Sequence, residues 1–448
     1  MLSASETRTL GMPKILLFGA GKSATVLIDF LVQRCTQAGF ALEVVDAQPV
    51  VATRKIEESA RRINVSSSLI TGSAFDIADA PKRTACIESA DLVLSLLPPH
   101  LHSVVATDCI RLGKSLFTAS YVDAQILQQA RQIELNGSLF LYEMGLDPGI
   151  DHMSLLALLD EIRSRGGVPT RVMSHCGGLV APESDDNPWH YKISWNPRNV
   201  VMAGKAGAQY LEQGSVVERT HAELFEELRT VFIEGVGAYA YYPNRDSLSY
   251  IDRYGLQGIE SFQRTTLRHP DFIRGWNELV KLGLIQDDRS LIFESGASLA
   301  DALNLCAPLP GDLTPELRAM LEWLGWSDHQ TPLPFTRATP AGILQFAMET
   351  KWILYAGDKD QVVMLHEIEY QIGSEKKRLR SWLVDTGEDS VRTAMAKTVG
   401  LPLGIAAMQY LTGQWQASGL QIPTLPEIYK PVLKELTQYG IEFQESTD

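Results

Sequence analysis

Several features are scarce in this chain, and each absence narrows the field. No apolar run approaches the roughly 20 residues a membrane-spanning helix needs. Basic residues do not predominate: 40 Lys and Arg stand against 54 Asp and Glu, a net charge of -14 over 448 residues. That balance argues against nucleic acid or an anionic membrane as partner, so neither is expected. Cysteine is sparse. Cys35, Cys86, Cys109, Cys176 and Cys306 are odd in number and include no CxxC pair, which suits reduced thiols in a cytosol better than a disulfide framework or a cysteine zinc site. No metal site is expected. The opening MLSASETRTLGMP has no apolar core of the kind a signal peptide carries; it reads as a frayed leader, and a cytoplasmic location is expected. Repeats and low-complexity segments are missing as well.

What is present is enough for two or three domains with a large core: 45% of the residues are hydrophobic and 21% charged. The stretch KILLFGAGKSATVLIDFLVQ, Lys14 to Gln33, is the most informative. An apolar run of strand length leads into Gly19-Ala20-Gly21, and Ser23 to Gln33 then carries apolar side chains at helical spacing. Strand, glycine turn and helix form the order of a dinucleotide-binding unit. Gly19 permits the tight turn, Gly21 lets backbone approach a pyrophosphate, and Ala24 lets helix and strand pack closely. Ala20, Lys22 and Ser23 complete the turn, and the helix N-terminus offers N–H groups to an anion. A glycine turn without a ligand is the competing reading. The context favours a cofactor, because strand-like runs recur at Leu42–Asp46, Ser68–Thr71, Asp91–Leu97, Ser115–Ala119 and Ser138–Tyr142. Helical segments such as Pro49–Ile63 and His100–Leu112 separate most of them. The expected fold is α/β, with a Rossmann-type parallel sheet.

Ligands on such sheets bind outside the carboxyl ends of the strands. Asp46 ends the second strand, where an acid bonds the ribose 2′-OH and repels a 2′-phosphate, so it leans toward NAD; Arg54 lies close by. Ser95 and Leu96, at the end of a strand stopped by Pro98-Pro99, are expected to face the cofactor. Ser120, Tyr121 and Asp123 end the next strand. Asp123, His152 and Tyr121 are the candidates for proton transfer; the competing readings are a helix N-cap for Asp123 and a packed helix-opening residue for His152. The link Glu143–His152, with its two glycines and proline, is either a further anion-binding turn, in which Asp147 joins the cofactor candidates, or an interdomain hinge.

Beyond the link, paired glycines follow Ser174-His175-Cys176. An irregular segment rich in Pro, Asp, Asn and Trp runs from Ala181 to Val200. Residues 273 to 330 look mainly helical and read as an inserted cap. Val362–Tyr370 and Leu379–Val384 alternate like antiparallel strands around Gly373-Ser374-Glu375. Ser390–Gln409 is a long apolar helix signal with a Gly-Leu-Pro break. Arg198, Arg245 and Arg268 lie near turns or strand ends in an acidic protein, and arginine clamps carboxylates; surface salt bridging is the bland alternative.

The motifs GLDPGIDH (Gly145 to His152), CGGLVAPESDDNP (Cys176 to Pro188), YKISW (Tyr191 to Trp195), YPNRDS (Tyr242 to Ser247), TLRH (Thr266 to His269) and AMAKTVGLP (Ala394 to Pro402) resemble the saccharopine dehydrogenase family, in particular its L-glutamate-forming saccharopine reductase branch. The resemblance runs over nearly the whole chain. It implies a Rossmann domain at 1–145 and a second α/β domain at 146–395 for substrate binding and dimerisation, with a helical insertion around 206–330. A segment at 396–448 would pack back on the first domain. It also implies NAD(P)-dependent joining of L-glutamate to 2-aminoadipate 6-semialdehyde through an imine, and the reverse, in a cytoplasmic homodimer. The substrate carries several carboxylates; Pro99, Asp123, Arg198, Asn244, Arg245, Asp246, Ser247 and Arg268 are the substrate-binding candidates. Two positions depart from the family pattern: Pro99 stands where a tyrosine is usual, and Asp46 where an NADP-preferring branch has a small or basic residue. A related reductive condensation, such as carboxynorspermidine formation, and a catalytically silent NAD(P)-binding sensor remain as alternatives.

Overall fold

The structure, a computed structural model, describes residues 12–448; residues 1–11 of the expected leader lie outside the described residues. The chain forms two compact units. The first comprises residues up to 154 together with 396–440, the second residues 155–395 together with 441–448.

The first unit alternates strictly. Its elements are β1 (Lys14–Phe18), α1 (Thr25–Ala38), β2 (Ala41–Asp46), α2 (Val51–Ile63), β3 (Ile70–Ala74), α3 (Ala80–Ser89), β4 (Leu92–Ser95), α4 (Pro99–Leu112), β5 (Ser115–Thr118), α5 (Ala124–Leu135), β6 (Leu139–Leu141) and the start of α6 (Ile150–Ser164). The strands pair in parallel in the order β6-β5-β4-β1-β2-β3, with a further strand, Gly419–Gln421, added beside β6. This is a doubly wound sheet, and its inner strands are apolar throughout because helices cover both faces. Helix α1 outruns its expected end and stops at Gly39, whose φ of 68° supplies the left-handed cap. The double proline ends β4 early, at Ser95; Pro98 and Pro99 then open α4, where a missing N–H does no harm. The expected Gly-Leu-Pro break does not occur. Helix Ala394–Leu411 runs through Pro402. Leu401, Leu403, Ile405, Ala406, Ala407 and Met408 are buried, and that packing outweighs one lost hydrogen bond. Gly400 and Gly404 let this helix close on α1: a Cβ on either would come within 2.9 Å of Leu27 atoms.

The second unit is built on a nine-stranded mixed sheet. Its early elements are β7 (Val168–Val180), α7 (Pro197–Val201), β8 (Ala208–Glu212), β9 (Ser215–Arg219), β10 (Arg229–Ile233), β11 (Gly237–Pro243), α8 (Ser249–Arg253), β12 (Ser261–Arg268) and α9 (Pro270–Lys281). Strands β12 and β7 pair in parallel, and the hairpin of Asp360–Ile372 and Glu375–Thr386 extends the sheet beyond β7. The terminal strand Gln444–Thr447 pairs with that hairpin, not with the first unit's sheet. Within the expected helical insertion, residues 208–268 form five strands; the helical part begins at Pro270. Alternation in runs such as RTVFI and AYAYYP carries the strand signal there. The helices that follow bury Trp276, Leu303, Leu344 and Trp352 in one core with Trp189 and Tyr191. The irregular segment from Ala181 is therefore anchored by its aromatic residues; the Trp189 indole N–H also donates to the Met320 carbonyl at 3.0 Å. Among the described residues no helix is long and apolar enough to cross a membrane.

Candidate dinucleotide and substrate sites

The glycine turn has the shape a dinucleotide requires. Gly19 sits at φ 98°, and a Cβ there would lie 2.9 Å from the Leu96 carbonyl oxygen. Gly21 is exposed, with no atom within 4 Å of where its Cβ would be, so the backbone is open to a ligand. Ala24 is buried under the turn. A 3-10 turn, Lys22–Ala24, leads into α1; no side chain caps it and no acid lies in it, which leaves its opening N–H groups for a phosphate. Lys22 is exposed and Ser23 half-buried. Asp46 is fixed beside the turn: Oδ2 accepts the Ala20 N–H and Oδ1 the Gln48 N–H, both at 2.9 Å. Sequence reasoning missed Lys55. From α2 its ammonium donates to the Gly21 carbonyl at 2.5 Å and to Thr25 Oγ1 at 2.8 Å, and burial pushes its pKa down to about 8. Its only signal was a basic residue in the helix after Asp46. These residues fit a dinucleotide.

At the carboxyl ends of β4, β5 and β6 the polar side chains mostly engage one another. Ser95 is fully buried and bonds His102 Nδ1 at 2.9 Å; Ser120 Oγ bonds His102 Nε2 at 2.7 Å. Ser95, expected to face the cofactor, turns its hydroxyl to the imidazole, because α4 starts so soon after β4 that His102 lies one turn in. Leu96 is half-buried, with its carbonyl under Gly19. His102 was not foreseen. Burial lowers its pKa to about 4, so it is neutral near pH 7, donating through one nitrogen and accepting through the other.

The three proton-transfer candidates fare differently. Tyr121 is half-buried and donates its phenol O–H to Asp147 Oδ1 at 2.9 Å. Asp123 is exposed, and its Oδ1 caps α5 by accepting the Ile126 N–H at 2.9 Å. His152 is fully buried; its Nε2 lies 2.9 Å from Glu143 Oε2 and its Nδ1 3.5 Å from Asp151. Glu143 also accepts the Val122 N–H at 3.3 Å. The His152–Glu143 contact ties the start of α6 to the ends of β5 and β6. Glu143, at φ 57° and 2% exposed, was missed because its partners lie on other elements.

In the second unit the arginines separate sharply. Arg198, at the start of α7, pairs with Asp287 at the half-exposed surface. Arg245 is exposed on the β11–α8 turn. In that turn Asp246 accepts the Leu248 N–H at 2.8 Å and Ser247 Oγ accepts the Arg264 N–H at 3.0 Å, while Asn244 donates its own N–H to the Arg264 carbonyl at 2.9 Å. These contacts shape the turn. Arg268, the last residue of β12, is only 4% exposed. Its guanidinium lies 5.3 Å from the Tyr191 ring centre and 5.5 Å from that of Phe272. One nitrogen donates to the Leu267 carbonyl at 2.8 Å; among the described residues no carboxylate pairs with it, and Nε makes no hydrogen bond. Pro99 opens α4.

Residues 15–141 match the family model described as the saccharopine dehydrogenase NADP binding domain, and residues 145–441 the one described as the saccharopine dehydrogenase C-terminal domain. The chain belongs to the saccharopine dehydrogenase family. It is an oxidoreductase of the saccharopine dehydrogenase type, with an NAD(P)-binding domain. Among curated relatives, the saccharopine dehydrogenase [NADP(+), L-glutamate-forming] of Saccharomyces cerevisiae is 31% identical, covering 97% of this chain and 99% of that one. The mitochondrial alpha-aminoadipic semialdehyde synthase of Bos taurus is 32% identical over 96% of this chain, which spans 47% of that longer protein. The apo histidine-tagged saccharopine dehydrogenase (L-Glu forming) from Saccharomyces cerevisiae superposes with a TM-score of 0.84 at 28% identity, covering 97% of this chain and 100% of that one. The Rossmann-type sheet, the second α/β unit and the family expected from the motifs are all borne out.

Proposed function

We propose that the protein interconverts saccharopine with L-glutamate and 2-aminoadipate 6-semialdehyde, within lysine metabolism. The observation that carries the reading is Arg268. A buried guanidinium with aromatic walls and no acidic partner is costly unless an anion completes it, and the substrate is rich in carboxylates. Arg268 holds one carboxylate, and Arg245, on the turn after β11, takes another. Gly19 to Ala24, Asp46 and Lys55 hold the dinucleotide, which when bound supplies or accepts the hydride. Tyr121, aligned by Asp147, moves a proton at the substrate amine, with Asp123 as the exposed alternative. His102 and the Glu143–His152 pair keep those strand ends in register. Asp46, pinned by two backbone N–H groups, disfavours a 2′-phosphate, so NAD serves this chain at least as well as NADP. The working form is a cytoplasmic homodimer assembled through the second unit.

The test is oxidation of saccharopine followed at the nicotinamide absorbance, with NAD and NADP side by side and carboxynorspermidine as the competing substrate. Turnover of saccharopine supports the reading. Turnover of the polyamine substrate alone, or dinucleotide binding without turnover, overturns it.

A further inference from the structure

Around the glycine turn and the end of β2 the basic residues are held differently. Lys22, in the turn, is exposed. Arg54 is exposed too, and its Nε lies 3.9 Å from Glu58 one turn along α2, a loose surface pair. Lys55 is half-buried and reaches from α2 to the turn, where its ammonium donates to the Gly21 carbonyl at 2.5 Å and to Thr25 Oγ1 at 2.8 Å. Thr25 Oγ1 itself donates to the Lys22 carbonyl at 3.0 Å. The helix that carries Lys55 is pressed against the sheet: a Cβ on Gly72 of β3 would lie 2.7 Å from the Thr53 backbone nitrogen.

Asp46 and Lys55 therefore grip consecutive residues of the turn, one the Ala20 N–H and the other the Gly21 carbonyl. An acid at this strand end is where a ribose 2′-OH is read, and where a 2′-phosphate meets a like charge. The ammonium shares that neighbourhood. Burial lowers its pKa most, the Asp46 carboxylate raises it, Arg54 lowers it, and Glu58 on α2 and Asp29 on α1 raise it. Asp29 is paired with Arg62 at 3.0 Å and Glu58 faces Arg54, which leaves Asp46 as the carboxylate that Lys55 offsets. An ammonium has three N–H donors. Two are given to the turn, and among the described residues the third has no partner.

We propose that Lys55 decides whether this turn accepts a 2′-phosphorylated dinucleotide: its ammonium offsets the Asp46 carboxylate and gives its remaining N–H to the 2′-phosphate, so that NADP is taken as well as NAD. The proposal rests on the reading of Gly19 to Ala24 as a dinucleotide site. It divides the work at one strand end. Asp46 serves the ribose hydroxyl of NAD, and Lys55 serves the phosphate of NADP.

The test is dinucleotide binding by the full-length chain, measured by calorimetry with NAD and NADP from about pH 7 to about pH 9.5, where the 2′-phosphate stays close to dianionic. Wild type should bind both. Lys55→Met should weaken NADP relative to NAD by about 10- to 100-fold, the loss of a charge-assisted hydrogen bond. Lys55→Arg should keep the ratio within about threefold, and so should Arg54→Ala, which removes only a surface charge. The pH profile separates this role from simple bracing of the turn. Burial brings the Lys55 pKa down to about 8, so wild-type NADP affinity should fall by up to about tenfold per pH unit above that value while NAD affinity changes little. In Lys55→Arg the fall should vanish, because a guanidinium stays charged. A wild type that binds NAD but not NADP overturns the assignment of Lys55, as does a Lys55→Met variant with wild-type circular dichroism and an unchanged ratio. A wild type that binds neither dinucleotide overturns the reading of the turn itself, and this proposal with it.

Discussion

The carboxyl edge of the first unit's sheet and the end of β12 in the second treat buried polar groups in opposite ways. In the first, Ser95, His102 and Ser120 form one chain, and Tyr121–Asp147 and Glu143–His152 form pairs. That edge is organised before any ligand arrives. At β12 the Arg268 guanidinium has carbonyls and aromatic faces but no counter-charge among the described residues. One region turns its polar groups on one another, and the other leaves a buried charge without an acidic partner among the described residues. The contrast implies that substitutions at Ser95, His102 and Ser120 act through stability, and substitutions at Arg268 through substrate affinity.

The strongest way to break that contrast is Arg268→Met. It should lower kcat/KM for saccharopine by about 10³-fold, mostly through KM. The denaturation midpoint should hold or rise, because an uncompensated buried charge is removed; a large loss of stability would mean that Arg268 is structural. Next comes His102. The unfolded chain protonates this imidazole near pH 6.5, the folded chain only near 4. Its contribution is therefore complete above pH 6.5 and is lost as pH falls toward 4, by roughly 3 kcal/mol. His102→Gln should flatten that part of the pH–stability curve measured by denaturant titration. Asp46→Ser should shift the NADP/NAD ratio of kcat/KM toward NADP by about tenfold, since it removes a carboxylate from the site of the 2′-phosphate; an unchanged ratio would sink the account of cofactor choice. Arg198→Ala should do least, under about 1 kcal/mol in stability and less than about twofold in kcat/KM, as expected for a half-exposed ion pair.

The order of elements in the first unit was legible because strand and helix periods differ and because Gly19 and Gly21 punctuate the first crossover. Asp46 was legible by its place at a strand end. His102, Glu143 and Lys55 were not, since each is defined by partners that only the folded sheet brings near. Arg198 and Arg268 gave the same local signal, an arginine beside a turn. Their fates diverge through burial: Tyr191 and Phe272 enclose one, and Asp287 meets the other at the surface.

The first unit is stitched from two distant pieces of chain. The face of α1 waits for Gly400 and Gly404, and the open edge of β6 waits for Gly419–Gln421. On the ribosome, a nascent chain that has emerged only as far as α6 exposes an apolar helix face and an unpaired strand for as long as the rest takes to be made. A fragment cut there would keep both permanently, and is expected to be recovered as aggregate unless residues 396–440 are supplied in trans.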